Sequence, residues 1–266
     1  MKFEVAVLVA TFNRSALTRR ALSDLKAEAP TNWKLRVYLA DDGSTDTTVS
    51  SLADLGLDIK IISGPGDWYW ARSMYEAENS IDKKYDAILW MNDDIELFEG
   101  SLRKFEELRH VRPKSVLVGQ FSNEGRNAIS YGGLLKEGFR PMRFKLPFFL
   151  TELKTVDTFN GNLVLIPKFA SEIVGKIDGK FAHAYADIDF GLRAKKLAVE
   201  MFVVPGFSGI CRPNRKESLR IWERLKRIHS PKGQPLKSQI RFLRRHGRWY
   251  WPLFLASPYL RALINK

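Results

Sequence analysis

Residues Ala87 to Met91 form an apolar run that ends, without transition, in Asn92, Asp93 and Asp94. A run of that length bounded by polar residues suits a buried strand. Its carboxylates then emerge together at the strand's carboxyl end, where open α/β sheets bind ligands. Adjacent carboxylates repel each other, and a cation or solvent must offset that cost. Hard divalent ions such as Mg²⁺ and Mn²⁺ take carboxylates together with substrate phosphates. For a lone Asp-Asp pair a solvated acidic turn is the simpler account, so the surroundings decide.

The same pattern occurs twice earlier. Phe3 to Ala10 is a near-continuous apolar strand of the kind found in parallel sheets covered on both faces. Thr11-Phe12-Asn13-Arg14 follows as a polar turn, and Ser15 is placed to cap a helix over about Ala16 to Ala27, with Leu17, Ala21, Leu22 and Leu25 at helical spacing. Leu35 to Ala40 reads as a second strand. It stops at Asp41-Asp42-Gly43-Ser44-Thr45-Asp46, a turn of carboxylates, hydroxyls and a permissive glycine. A short helix near Thr48 to Leu55, a strand from Ile59 to Ser63, the breaker Gly64-Pro65-Gly66 and a helix from about Trp70 to Ser80 complete the alternation. Strand and helix alternating in this way indicate βαβ units and a doubly wound, mostly parallel α/β sheet.

Composition bounds the possibilities. The chain has 266 residues, 45% hydrophobic and 27% charged, enough to bury a sizeable core in one large domain or one and a half. Its single cysteine, Cys211, rules out an internal disulfide and gives no hint of a cysteine zinc site. The N-terminal apolar run is short and carries Glu4, which reads as a strand and not as a signal peptide. No run reaches the roughly 18 apolar residues of a spanning helix. The expected location is cytoplasmic. A net charge of +13 calls for an acidic partner: nucleotide, nucleic acid or anionic lipid surface.

Val9-Ala10-Thr11-Phe12-Asn13-Arg14, Ala40-Asp41-Asp42-Gly43-Ser44-Thr45-Asp46 and Asn92-Asp93-Asp94 together resemble the three early signatures of family 2 glycosyltransferases of the GT-A fold. Each alone is ordinary turn chemistry; their order and placement at strand ends carry the resemblance. It implies a Rossmann-like GT-A domain in which Thr11, Asn13, Arg14, Asp41 and Asp42 lie at the nucleotide. The acidic triplet corresponds to the family's DXD metal motif with Asn92 in its first position, which makes Asp94 the expected ligand of Mg²⁺ or Mn²⁺, with Asn92 and Asp93 beside it. Ala71-Arg72-Ser73-Met74 resembles the family's donor-facing Arg-Asn segment. Arg72 then either pairs with the diphosphate or is a surface arginine on a helix, and Trp68, Tyr69 and Trp70 are either core or face the sugar.

The second half is read more sparsely. Leu102 to Leu108 has helical spacing, Ser115 to Gly119 reads as a strand, and Asn123 to Gly138 as a loop or hairpin over the active face. Arg140 to Leu150 mixes basic and aromatic residues without an assigned role. A tight polar turn precedes a strand ending at Pro167. Asp187 and Asp189 then open a helix. Carboxylates in a first helical turn are often only dipole caps. His183 to Arg193 also resembles the family's Glu-Asp-x-Asp signature, with Ala186 in place of Glu, which implies Asp187 as the catalytic base and leaves Asp189 to orient the helix or Arg193. Val199 to Pro205 is the expected last strand. Family members often carry a metal-binding histidine after it. Here Gly206 to Arg212 contains none, so a carbonyl, water or Cys211 is left to complete the shell of an ion.

From Arg212 onward basic residues dominate, followed by Trp249-Tyr250-Trp251-Pro252-Leu253-Phe254. A solvated face, a nucleic-acid surface and an interfacial membrane element all fit that composition. The aromatics form one block instead of alternating with the basic residues as stacking platforms do, which favours the membrane. The expectation is therefore two parts, a GT-A domain over 1–211 and a basic helical extension over 212–266 that meets an anionic membrane surface.

The chain so read is a metal-dependent, inverting, hexosyl-type transferase at the inner face of the cell membrane, in bacterial polysaccharide synthesis. It would move sugar from a nucleotide-sugar donor to a glycan or lipid-linked acceptor, with no nucleic acid as partner. Two alternatives remain: a nucleotidyltransferase, which usually carries an early Gly-rich phosphate loop, and a non-catalytic basic protein binding nucleic acid or lipid, whose carboxylates only cap helices.

Overall fold

The computed structural model describes residues 2–147, 151–182, 184–213, 221–230, 235–257 and 259. His183, the end of the 140–150 segment and the basic residues of 214–220 and 231–234 lie outside them, as do the side chains of 224, 225 and 227 and the residues after 259.

In chain order the elements are β1 (Phe3–Thr11), α1 (Ser15–Glu28), β2 (Trp33–Asp41), β3 (Ile59–Ser63), α2 (Tyr69–Asn79), β4 (Ala87–Asn92), β5 (Ile95–Leu97), α3 (Ser101–Val111) and β6 (Val116–Ser122). There follow β7 (Ile129–Tyr131), β8 (Gly133–Lys136), β9 (Phe144–Lys145), β10 (Lys154–Thr155), β11 (Thr158–Phe159), β12 (Leu163–Pro167) and α4 (Lys168–Val174). The chain continues with α5 (Ala186–Lys196), β13 (Met201–Cys211), α6 (Ile221–His229) and α7 (Leu236–His246).

The main sheet runs β10-β13-β6-β12-β4-β1-β2-β3. Strands β3, β2, β1 and β4 are parallel, as the alternating pattern demands. Two strands of this order run antiparallel to their neighbours: β12, between β4 and β6, and the edge strand β10, beside β13. Successive side chains of a strand point to opposite faces. Val5, Val7 and Val9 of β1 accordingly enter one core with Leu22 and Leu25 of α1 and Phe105 of α3. Ala6 and Leu8 enter the other with Met74 of α2, Phe190 of α5 and Phe242 of α7. The sheet is therefore sandwiched by helices, and α7 belongs to one of those layers.

Three local expectations are corrected. Ser15 is the first helical residue and not the cap: its amide reaches the Asp46 carboxylate (3.3 Å), and that of Arg14 reaches the Thr48 hydroxyl (3.0 Å). The helix expected near Thr48 to Leu55 is a single 3₁₀ turn, Ser50–Leu52, because the Asp46 carboxylate takes the Thr48 amide and the Ser50 and Ser51 hydroxyls donate to the Thr47 and Thr48 carbonyls, which draws the chain into turns. The last strand extends to Cys211, past Pro205, through register shifts against β6.

Candidate active site

The parallel register aligns the strand ends. Thr11 pairs with Asp41, Ala10 with Asn92, and Asp41 with Ser63, so the three polar turns open on one edge. Asn13, at a positive φ of 51°, ties the first turn to the second: its side-chain oxygen accepts the amides of Thr45 (2.8 Å) and Asp46 (3.3 Å). Its own amide donates to the Ser44 hydroxyl (2.8 Å). Asp41, buried, accepts the Ser44 amide (3.2 Å) and hydroxyl. Asp42, also buried, accepts the amides of Gly66 and Tyr69, each at 2.9 Å, and so secures the loop that begins α2.

The acidic pair at the end of β4 has its cation within the chain. Arg14 Nη1 lies 2.8 Å from Asp93 Oδ1 and 3.0 Å from Asp94 Oδ2. Asp93 is buried, and burial together with the Asp94 charge pushes its carboxyl up to about 6 against the opposing pull of Arg14. The Thr11 hydroxyl also bonds Asp93, and pairs with that of Thr18 at 2.8 Å. Asp94 remains about one-third exposed. Strand β5 begins immediately after Asp94 and pairs Ile95 with Cys211, which places the thiol 3.9 Å from Asp94 Oδ1. Burial, with the Asp94 charge, raises the Cys211 thiol, so it stays protonated and donates to Asp94. Asn92 accepts the Trp70 indole N–H (2.9 Å). The half-buried Trp70 ring packs edge-on against Trp90.

Asp187 sits at the start of α5 and is half-buried. Its Oδ2 accepts the Gly161 amide (3.0 Å) and its Oδ1 the Ile188 amide (2.8 Å). Burial raises its pKa, opposed by these amides and by the Asn160 side chain. A Cβ at Gly161 would stand 2.8 Å from the Trp70 ring and 3.4 Å from the Asp187 Cβ, so only glycine lets the turn pass between them. The next residue joins the two carboxylate centres: Asn162 accepts the Asn92 amide on its carbonyl (2.9 Å) and donates its side-chain N–H to Cys211 (3.3 Å). This Asn160–Asn162 turn passed in the sequence as an ordinary polar turn. Only the pairing of β12 with β4 brings it to the acidic edge. Arg72 does not join the group; it pairs with Glu76 on its own helix and lies over the Tyr75 ring.

Among the described residues no group of three or more His, Cys, Asp or Glu is disposed to hold a metal ion. The chain fits a divalent ion through Asp94, with the remaining ligands from substrate oxygens and water, the usual habit of Mg²⁺. Asp93 fits less well: both carboxylates contact Arg14, but Asp93 is buried whereas Asp94 is about one-third exposed.

Solved structures share this architecture. A mannosyltransferase from Pyrobaculum calidifontis, in complex with GDP-Man and Mn²⁺, superposes with a TM-score of 0.59 at 14% identity over 99% of this chain and 74% of that one. TarS of S. aureus, residues 1–349 with UDP-GlcNAc, gives 0.60 at 15% identity over 99% and 80%. GalNAc-T7 with UDP, GalNAc and Mn²⁺ gives 0.68 at 12% identity over 98% and 51%. No curated protein matches the chain in sequence. The fold is that of the GT-A glycosyltransferases, with the carboxylates gathered where strand ends form a ligand edge. The profile of glycosyl transferase family 2 matches residues 6–173, more than half of the chain, and the protein belongs to that family.

Proposed function

We propose that the protein is an inverting glycosyltransferase that takes its sugar from a nucleotide-sugar donor lying across the strand ends. The observation that carries this reading is Asp187: a half-buried carboxylate, aimed by two backbone amides, joined through the 160–162 turn to the acidic edge at Asp94. The acceptor hydroxyl attacks the anomeric carbon from the face opposite the diphosphate. Its proton passes to Asp187 as the carbon–phosphate-oxygen bond breaks, and the configuration inverts. Burial makes Asp187 a stronger base than a free aspartate, whose pKa is about 3.9. The two amides hold it in place as the proton is lost. Thr11, Asn13, Arg14, Asp41 and Asp42 organise the two nucleotide-side turns. Asp94 would hold a divalent ion, which when bound offsets charge on the leaving nucleoside diphosphate.

The acceptor is read as a membrane-bound or lipid-linked glycan, with the C-terminal segment resting on an anionic bilayer. Trp222, Trp249 and Leu253 are 81%, 87% and 76% exposed in the basic segment. Aromatic and aliphatic side chains beside basic ones suit a lipid interface. No helix among the described residues is long and apolar enough to cross a membrane.

The test is turnover of a panel of nucleotide sugars with and without Mn²⁺, followed by Asp187→Asn. That variant should keep donor affinity and lose transfer by roughly 10²–10⁴-fold. In the wild type kcat/KM should fall as pH drops through the raised Asp187 pKa. Transfer at the wild-type rate by Asp187→Asn overturns the assignment.

A further inference from the structure

The residue two positions after the proposed base is fully enclosed, and three side-chain nitrogens converge on it, two of them from more than 50 positions further along the sequence. Asp189 is 0% exposed. Its oxygens take Arg193 Nε (2.9 Å), Arg245 Nη1 (2.7 Å) and His246 Nε2 (2.8 Å). Since the carboxylate only accepts, His246 carries its proton on Nε2. Burial alone would raise the Asp189 carboxyl; the His246 hydrogen bond with the Arg193 and Arg245 charges outweighs it and holds the group below the usual carboxylate range.

Two of these three partners come from α7. The second amino group of Arg245 bonds Asp178 Oδ2 (2.9 Å), which also takes Arg241 Nε (2.6 Å). Between these anchors, the Ser238 hydroxyl accepts the Ala182 amide (3.1 Å), and Phe242 stacks obliquely on Tyr185 with ring centroids 5.1 Å apart. So α7 holds the segment leading into α5 at Asp178, Ala182, Tyr185 and Asp189, before and after Asp187. Removing one member of a buried ion pair leaves an uncompensated charge and strongly perturbs its surroundings.

We propose that α7 is a positioning element of the transfer reaction, with Arg245 as its principal residue, bridging Asp178 and Asp189 so that the first turn of α5 presents the Asp187 carboxylate in one direction. Arg245 touches no reacting atom. Its effect on the reaction rests on Asp187 being the base, as proposed above. A shift of about 1 Å in a reacting group costs on the order of 10²-fold in rate, so a loosened first turn should be read in kcat.

The experiment compares Arg245→Met, Arg245→Lys and Arg241→Met in the full chain by hydrogen exchange over residues 184–196 and by donor turnover. Arg241→Met is the control, since it removes a bond to Asp178 and none to Asp189. Arg245→Met should exchange faster across that segment and lose kcat by roughly 10–10²-fold with donor KM unchanged. Arg245→Lys should recover part of both, and serves in place of Arg245→Met if that variant does not fold. Arg241→Met should keep kcat near wild type. Unchanged exchange on losing Arg245, or an equal kcat loss in Arg241→Met, overturns the proposal. A wild type that turns over no nucleotide sugar overturns the proposed function alone, because the exchange comparison still decides whether α7 holds the turn.

Discussion

Ending the chain at Cys211, where its composition changes character, should severely destabilise the folded domain and not merely shorten it. The cut removes α7 and with it Phe242 and Leu243, both fully buried. Returning each side chain to water costs about 1.5–3 kcal/mol. Asp189 would keep Arg193 but lose Arg245 and His246, and breaking a buried ionic cluster in this way costs about 3–5 kcal/mol. Together the losses come to about 6–11 kcal/mol, against a total stability of about 5–15 kcal/mol for a domain. Thermal unfolding of the 1–211 chain and of the full chain, followed by circular dichroism, reads the difference. A loss of even 3 kcal/mol lowers Tm by about 6–12 °C at this size, and the expected loss lowers it by at least about 12 °C. If the shortened chain melts cooperatively within about 5 °C of the full one, α7 is a detachable extension, and the packing argument is wrong.

Two further outcomes are expected. Burial pushes the Glu78 carboxyl from 4.5 up to about 7, so the folded protein keeps a proton that the unfolded chain releases; this stabilisation is full below pH 4.5 and lost as pH rises through 7. In urea denaturation, Glu78→Gln should therefore gain on the wild type by up to about 3 kcal/mol between pH 4.5 and 8, and an equal gap at both pH values would refute the burial argument. Wild-type protein should sediment with anionic vesicles at low salt, weaken without full release at high salt, and bind less well after joint Trp249→Ala and Leu253→Ala substitution. Wild-type protein that stays in the supernatant at low salt removes the membrane reading.

The basic tail shows why composition alone misleads. Its charges read as one solvated or lipid-facing run, but Arg241 and Arg245 turn inward to Asp178 and Asp189, and Arg244 lies over the Trp251 ring. Phe254 similarly packs with Phe139 and Tyr250, leaving Trp249 and Leu253 outward. A sequence records that a side chain is charged or aromatic. It does not record which way a helix is turned once it docks.

What the sequence determined by itself is local and periodic. The apolar runs of β1, β2 and β4 declare buried parallel strands, and the polar residues that end them must surface on a common edge; Thr11, Asp41 and Asn92 do so because parallel register aligns strand ends. The placement of Asp187 at the opening of a helix was legible for the same reason, as a change of period beside a carboxylate. Tertiary structure decided everything that depends on distant segments meeting. It inserted β12 antiparallel beside β4, which carries Gly161 and Asn162 between the two carboxylate centres. It swung Arg14 onto Asp93 and Asp94, so the charge repulsion evident in the sequence is met by a guanidinium 79 and 80 positions away. It also brought Arg245 to Asp189 across 56 positions. Such pairings leave no periodic trace, because they are selected by burial and charge compensation in the packed molecule and not by the preferences of neighbouring residues.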